Sequence, residues 1–165
     1  MGDFILGRKS VKENKNNYQM CRENAELTRD AAAELLGYVS ADRIEKIENE
    51  RSLPHPEEIL AMSKAYKAPD LCNYYCSHEC PIGQEFVPEV KMKDLSQITL
   101  EMLASLNALE SEKNRLIEIT VDGSITKDEM ADFEKIQSQL SQISMAIDSL
   151  QLWVKKAIAD GNIEQ

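Results

Sequence analysis

The sequence predicts an all-α protein with two parts, a domain of five short helices over residues 17–80 and a long antiparallel two-helix coiled-coil hairpin over residues 94–160. Three observations support this prediction. Apolar residues recur at helical spacing, and no segment alternates as a half-buried strand would. Prolines, a glycine and three cysteines crowd between residues 69 and 88, which indicates a junction. Beyond it, apolar residues follow a seven-residue repeat, which is typical of a coiled coil.

The charge of this 165-residue chain is uneven. Of the formal charge of −10, residues 1–70 carry −2 and residues 71–165 carry −8. We therefore expect two modules with different roles. Residues 1–16 form a polar arm, which we expect either to follow a DNA groove or to be a solvated tail. The basic residues of the arm are Arg8, Lys9, Lys12 and Lys15. Residues 81–93 are the predicted linker between the two folded parts.

Apolar runs in the sequence are too short to span a membrane, and the N-terminus does not resemble a signal peptide. We therefore expect a cytoplasmic protein whose four cysteines are thiols or metal ligands. A nucleophile elbow, a phosphate-binding glycine loop and a metal-hydrolase helix motif are all missing from the sequence. On these grounds we do not expect an enzyme.

Start and stop signals mark the first three short helices. Residues 18–24 form the first predicted helix. Thr28 is a good N-cap for the second, which should end where Gly37 supplies a C-terminal glycine. Ser40 caps the third.

A proline-rich turn at residues 54–56 separates the third predicted helix from the fourth and fifth. In the third helix, Ile44 and Ile47 share one face because they are three residues apart. The fourth helix follows Pro56, and the cysteine-containing segment 72–80 can form the fifth.

The predicted hairpin has an apolar seam on each helix, joined by a turn at Asp122-Gly123-Ser124 and a capping box of Thr126 and Glu129. A lone hairpin would leave apolar surface in water. We therefore expect a partner, which would be the N-terminal domain, a second copy of the chain, or both. The predicted core of the hairpin or dimer comprises Leu106, Leu109, Phe133, Leu140, Ile143, Ile147, Leu150 and Val154.

Turn and core residues of the N-terminal domain match a known pattern over about 50 residues. The matching segments are Leu27-Thr28, Leu36-Gly37-Tyr38-Val39-Ser40, Ile44-x-x-Ile47-Glu48-Asn49, and Arg51 with Pro54. On these residues the domain resembles the helix-turn-helix DNA-binding domain of the Cro and lambda-repressor (Xre) family. The resemblance implies a transcriptional regulator that binds double-stranded DNA as a homodimer, with the helix Ser40–Glu48 in the major groove.

By this resemblance, Ala41, Asp42 and Lys46 face base edges and Arg29 lies near phosphates. The full implied DNA-binding set is Arg29, Ser40, Ala41, Asp42, Arg43, Lys46 and Arg51. The family more often has glutamine at the Arg29 position and neutral or basic residues on the reading face. Because this chain has acids there, a second hypothesis is an interaction adaptor or antirepressor-like protein that keeps the fold without reading DNA.

The cysteines suggest a second site. Cys72, Cys76 and Cys80 recur at four-residue steps, and Cys21 lies on the first helix. Three interpretations stay open: small buried apolar residues, a zinc or iron–sulfur site, and a thiol redox sensor. The absence of C-x-x-C pairs argues against the metal site, so we expect no cofactor.

Overall fold

The computed structural model describes residues 14–163 of the chain, and this part contains eight α-helices and no strand. The all-α prediction is therefore confirmed. Arg8, Lys9 and Lys12 of the predicted arm lie outside the described residues. The helices are α1 (Asn17–Asn24), α2 (Arg29–Leu36), α3 (Ala41–Glu48), α4 (Pro56–Ala65), α5 (Asp70–His78), α6 (Pro81–Phe86), α7 (Leu95–Thr120) and α8 (Met130–Ala159).

Two compact units make up the chain. The first contains α1 to α6, within residues 1–89, together with the chain end from residue 155. The second spans residues 90–154 and contains α7 and most of α8. Within the first unit, the chain end is fastened by Lys156, whose Nζ donates to the backbone carbonyl of Lys67 at 3.0 Å.

Side-chain caps start the first three helices. Asn16, Thr28 and Ser40 each accept a hydrogen bond from the backbone amide three residues later. Such a cap satisfies one of the amides that a helix start leaves without a partner. Gly37 ends α2 with φ at 74°, a left-handed conformation that glycine adopts at little cost. The three start and stop signals read from Thr28, Gly37 and Ser40 are therefore confirmed.

One apolar core holds the first unit together. Ala32 and Leu71 have no exposed surface, and Ile44 and Met62 are almost as deeply buried. Fully burying each large side chain contributes roughly 1.5–3 kcal/mol relative to leaving it in water. The core comprises Tyr18, Cys21, Ala32, Leu36, Val39, Ile44, Ile47, Ile59, Met62, Tyr66, Ala68 and Leu71.

The predicted linker, residues 81–93, contains a helix of its own. Pro81 begins α6, and Gly83 lies against α5. A Cβ atom at Gly83 would come within 2.0 Å of the Cys76 carbonyl oxygen, so only glycine permits this approach. Residues 81–89 therefore belong to the first unit, and residues 87–93 have no helix or strand.

In the second unit, α7 and α8 pack together as an antiparallel hairpin. Two ion pairs give the register: Arg115 Nε lies 2.7 Å from an oxygen of Asp132, and Lys135 Nζ pairs with Glu112. Ile98 and Ile119 of α7 and Ile136 of α8 are fully buried. We call one set of positions, spaced at seven-residue steps, the inner seam. It comprises positions 98, 105, 112 and 119 on α7 and positions 129, 136, 143, 150 and 157 on and just before α8, together with Ala146.

The buried seam of the hairpin differs from the predicted core. Leu106, Leu140 and Ile147 are 46%, 44% and 42% exposed. Predicted core residues Leu109, Phe133, Ile143, Leu150 and Val154 are partly buried. In place of the exposed leucines and isoleucine, Ser105 and Ala146 are buried. Small side chains allow two helix backbones to approach, and the bulkier neighbours then fall at the edge of the contact.

Candidate nucleic-acid interface

The connection between α2 and α3 is a tight four-residue turn, Gly37–Ser40. The left-handed Gly37 reverses the chain, and Val39 turns inward and is buried. Ile44 and Ile47 on the inner face of α3 are also buried, so α3 is held rigidly against α2. This bracing leaves the opposite face of α3 free to enter a groove.

The outward surface of α3 carries two opposite charges one helical turn apart. Lys46 Nζ lies 2.7 Å from a carboxylate oxygen of Asp42. The side chains are 50% and 71% exposed, respectively. Ser40 is exposed and Ala41 is partly buried beside them. We call Ser40, Ala41, Asp42 and Lys46 the reading surface. An exposed ion pair of this kind is worth roughly 0–1 kcal/mol, so the two side chains can separate at little cost.

Arg43 is directed into the protein, which the sequence did not predict. Its guanidinium donates to both carboxylate oxygens of Glu58, at 2.8 and 2.7 Å, and also to the Leu53 carbonyl. The hydrogen bonds from Arg43 hold the pKa of the Glu58 carboxyl below its usual range, and those bonds raise the pKa of Arg43. Arg43 thus fastens α3 to the start of α4.

A second set of ion pairs ties α1, α2 and α3 together at Glu48, which is 1% exposed. Arg22 donates to both oxygens of this carboxylate, at 2.5 and 3.0 Å, and Arg29 donates to one of them at 2.8 Å. Burial has the largest single influence on the pKa of Arg22 and lowers it. The hydrogen bonds to Glu48 and the negative charges of Glu48 and Glu23 together outweigh burial, so the pKa of the guanidinium is raised. Glu48 therefore points inward, away from the exposed face of α3.

Each cation of the implied DNA-binding set lies near a carboxylate of the same chain. Arg29 pairs with Glu48, Arg43 with Glu58 and Lys46 with Asp42. Arg51 lies 4.0 Å from Glu45. Arg51 is 69% exposed, whereas Arg43 is 23% exposed. Lys46 and Arg51 can therefore leave their ion pairs with Asp42 and Glu45 and contact a nucleic acid instead. Arg43 cannot do so without breaking its ion pair with Glu58 of α4.

An open cleft of about 520 Å³ lies beside the reading surface. It is bounded by the start of α2, where Thr28 and Arg29 lie, and by Asp42 and Glu45 of α3. The N-terminus of α2 presents backbone amides here, which favours an anionic group such as a phosphate. Four acids that line the cleft oppose the same group, namely Glu23, Asp30, Asp42 and Glu45. A phosphate there would therefore depend on the amides at the start of α2 and on Arg29, which also pairs with Glu48.

All four cysteines, considered from the sequence as possible metal ligands, are free thiols. Cys21 is buried, while Cys72, Cys76 and Cys80 on the α5 side are partly buried and free. Across residues 14–163, no three His, Cys, Asp or Glu side chains are close enough to share a metal ion. Burial raises the pKa of Cys21 to about 12 and, together with the neighbouring Cys80 and Cys72, raises the pKa of Cys76. The redox interpretation remains a prediction.

Sequence reasoning missed the carboxylate partners of the arginines. Glu58 lies fifteen residues beyond Arg43, and Glu48 lies twenty-six beyond Arg22. No local spacing rule relates residues so far apart. One signal for these ion pairs was present in the sequence, namely the acids on the predicted recognition helix. Such acids must either be exposed to water or pair with a cation.

Comparison with known proteins agrees with this geometry. The model of a family described as a helix-turn-helix domain matches residues 19–71, from α1 to the start of α5. No curated protein and no solved structure matches the chain. Among the described helices, none combines the length and the apolar character that crossing a membrane requires. The helix-turn-helix match and the exposed α3 together indicate, in general terms, a DNA-binding regulator.

Proposed function

We propose that the protein is a sequence-specific transcriptional regulator of the Xre type, which binds double-stranded DNA as a dimer through α3. The observation that carries the proposal is the reading surface: a capped, braced helix that directs Asp42 and Lys46 outward. Two copies would present two such helices to half-sites about one DNA turn, roughly 34 Å, apart.

The chemistry of the reading surface favours G·C base pairs. A lysine ammonium donates to O6 and N7 of guanine, and a carboxylate accepts from the amino group of cytosine. Lys46 and Asp42 are four residues apart on one face, so they can reach neighbouring base pairs. Their mutual ion pair satisfies both groups in the free protein and is replaced by base contacts in the complex.

Phosphate affinity must come from few groups. The α2 N-terminus, Arg29 and Arg51 are the described groups placed to meet the backbone, and Arg29 also holds Glu48. Residues 1–70 are themselves −2 in charge. Non-specific binding should therefore be weak, since it depends on the number of phosphates that cations neutralise.

An unbiased selection from a random duplex library at low salt tests the proposal. We expect a recovered motif with two related half-sites, each containing G·C pairs. Lys46→Ala should weaken binding to the recovered duplex by at least about tenfold, the effect of one good base contact. Lys64→Ala, an exposed lysine of α4, is the matched control and should bind like the wild type. Failure to enrich any duplex would contradict the proposal.

A second candidate is an adaptor that keeps the helix-turn-helix fold for protein contacts. The observation in its favour is that Leu35, Tyr38 and Leu60 of the first unit are all more than half exposed. Such side chains suit a protein interface. Under this alternative, Lys46→Ala changes no interaction of the protein, whereas Leu60→Asp abolishes partner binding.

A further inference from the structure

The hairpin leaves an apolar surface uncovered beside its inner seam. On each helix, apolar residues occupy the position four residues after an inner-seam position. Leu106 of α7 directly follows the inner-seam residue Ser105, lies beside these positions and is 46% exposed. We call this set the outer stripe: Met102, Leu106, Leu109, Leu116, Phe133, Leu140, Ile147 and Val154.

Both halves of the outer stripe lie on the same side of the hairpin. Two antiparallel helices are related by an approximate twofold axis perpendicular to the plane that contains them. This rotation exchanges equivalent positions and leaves each side of the pair on its own side. Residues four positions after the seam, such as Leu109 on α7 and Leu140 on α8, therefore form one continuous surface.

The opposite side of the hairpin is polar. It is formed by residues that directly precede inner-seam positions, including Gln97, Glu118, Lys135 and Gln142. Lys135 bridges the two helices there through Glu112. If the hairpin existed only as a monomer, both of its sides would face water, and both would be expected to be polar. The asymmetry therefore indicates that the apolar side is covered by another apolar surface.

The side of the hairpin that contains the outer stripe is large enough for a protein partner of the same shape. The 26 residues of α7 extend about 39 Å. Two helices packed 8–10 Å apart present a side roughly 20 Å wide, which gives roughly 700–800 Å² per hairpin. A standard stable interface buries about 800 Å² on each partner.

We propose that the outer stripe packs against the outer stripe of a second copy and forms an antiparallel four-helix bundle. The twofold axis that relates the two copies would run parallel to the helices. Each α7 would then lie beside α8 of its own chain and beside α8 of the second copy. This inference rests on the dimer of the proposed function and names its contact surface, but it does not require DNA binding.

Charge complementarity supports this arrangement. Lys113 of α7 lies between Leu109 and Leu116 of the outer stripe and is 59% exposed. It pairs with Glu110 of its own helix at 3.1 Å, and such an exposed pair can be exchanged at little cost. The ion pairs of residues 112 and 115 with residues 135 and 132 place residue 113 at the level of residue 134. An axis parallel to the helices keeps that level, so Lys113 would meet the exposed Glu134 of the second copy.

Sedimentation equilibrium of the full chain without DNA tests the inference. The wild type should have about twice the chain mass of 18.7 kDa. Leu140→Asp and the milder Leu140→Gln should each raise the dimer dissociation constant at least tenfold, while Gln142→Asp on the polar side should not. Circular dichroism must show unchanged helicity in all three. Lys113→Glu should weaken the dimer, and adding Glu134→Lys should restore it.

A wild type that remains a monomer at about 100 μM, or equal effects of Leu140→Asp and Gln142→Asp, would overturn the inference. Failure of the charge exchange to restore the dimer would overturn the parallel axis. A monomer that still binds the selected duplex would leave the DNA-binding proposal standing. A dimer with no DNA affinity would sustain this inference alone.

Discussion

The two units of the molecule distribute charge and apolar surface in opposite ways. In the first unit, Glu48 is buried and held by Arg22 and Arg29, and Glu58 is held by Arg43. In the second, small residues such as Ser105 and Ala146 are buried, while Leu140 and Ile147 are exposed. Directional ion pairs fix one geometry for the helix-turn-helix. A repeating seam leaves spare apolar surface, which suits association.

The largest expected effect breaks the buried charge network. Glu48→Ala removes the partner of the buried Arg22 and should lower the free energy of unfolding of the first unit by about 3–5 kcal/mol. Urea denaturation followed by hydrogen exchange of α1–α3 amides measures it. Glu45→Ala, on the exposed side of the same helix, should change the value by no more than about 0.5 kcal/mol. Equal effects of the two variants would contradict the network.

A pair of variants in α8 sharpens the contrast within the second unit. Ile136→Ala deletes a fully buried side chain and should cost about 2–5 kcal/mol, because it leaves a cavity in the inner seam. Leu140→Ala should cost clearly less in dilute protein, where the outer stripe is in water. Fluorescence of the single tryptophan, Trp153, during urea unfolding reports on this helix. A larger loss for Leu140→Ala would show that the seam is assigned incorrectly.

The ion pair between Arg43 and Glu58 predicts a smaller, pH-dependent effect. Because the folded-state pKa of Glu58 is lowered, its stabilisation is present above the unfolded carboxyl pKa of about 4.3 and is lost as pH falls through the lowered folded value. Glu58→Gln should therefore cost about 1–2 kcal/mol near neutral pH after allowance for partial exposure. The urea midpoint of the variant should fall less than that of the wild type between about pH 6 and about pH 3. If the urea midpoints of the variant and the wild type fell by the same amount over this pH range, the ion pair would not have this stabilising role.

The smallest expected effect concerns the cysteines. A redox-sensing thiol needs a low pKa and access to solvent. Cys21 has a pKa of about 12 and is buried, so iodoacetamide at neutral pH should leave it unmodified in native protein and modify it in urea. Peptide mapping by mass spectrometry gives each rate. Rapid native labelling of Cys21 would show that this part of the core opens readily.

The helix boundaries of the first unit could be predicted because each depends on a local residue, such as Thr28, Gly37 or Ser40. The direction of Arg43 could not, since it depends on Glu58, which folding alone brings near. The heptad repeat predicted two long helices, but hydrophobicity favoured Leu140 for the seam. Packing placed Ala146 there instead, because backbone approach depends on the size of both helices' side chains.

The central claim, that α3 reads DNA through its outward surface, is tested most directly by binding of the selected duplex over a series of salt concentrations. Fluorescence anisotropy should show wild-type affinity falling with salt, and Lys46→Ala should lose at least about tenfold in affinity at every concentration. Lys64→Ala should follow the wild type. Equal affinity of Lys46→Ala and the wild type, or no binding at the lowest salt, would contradict the account.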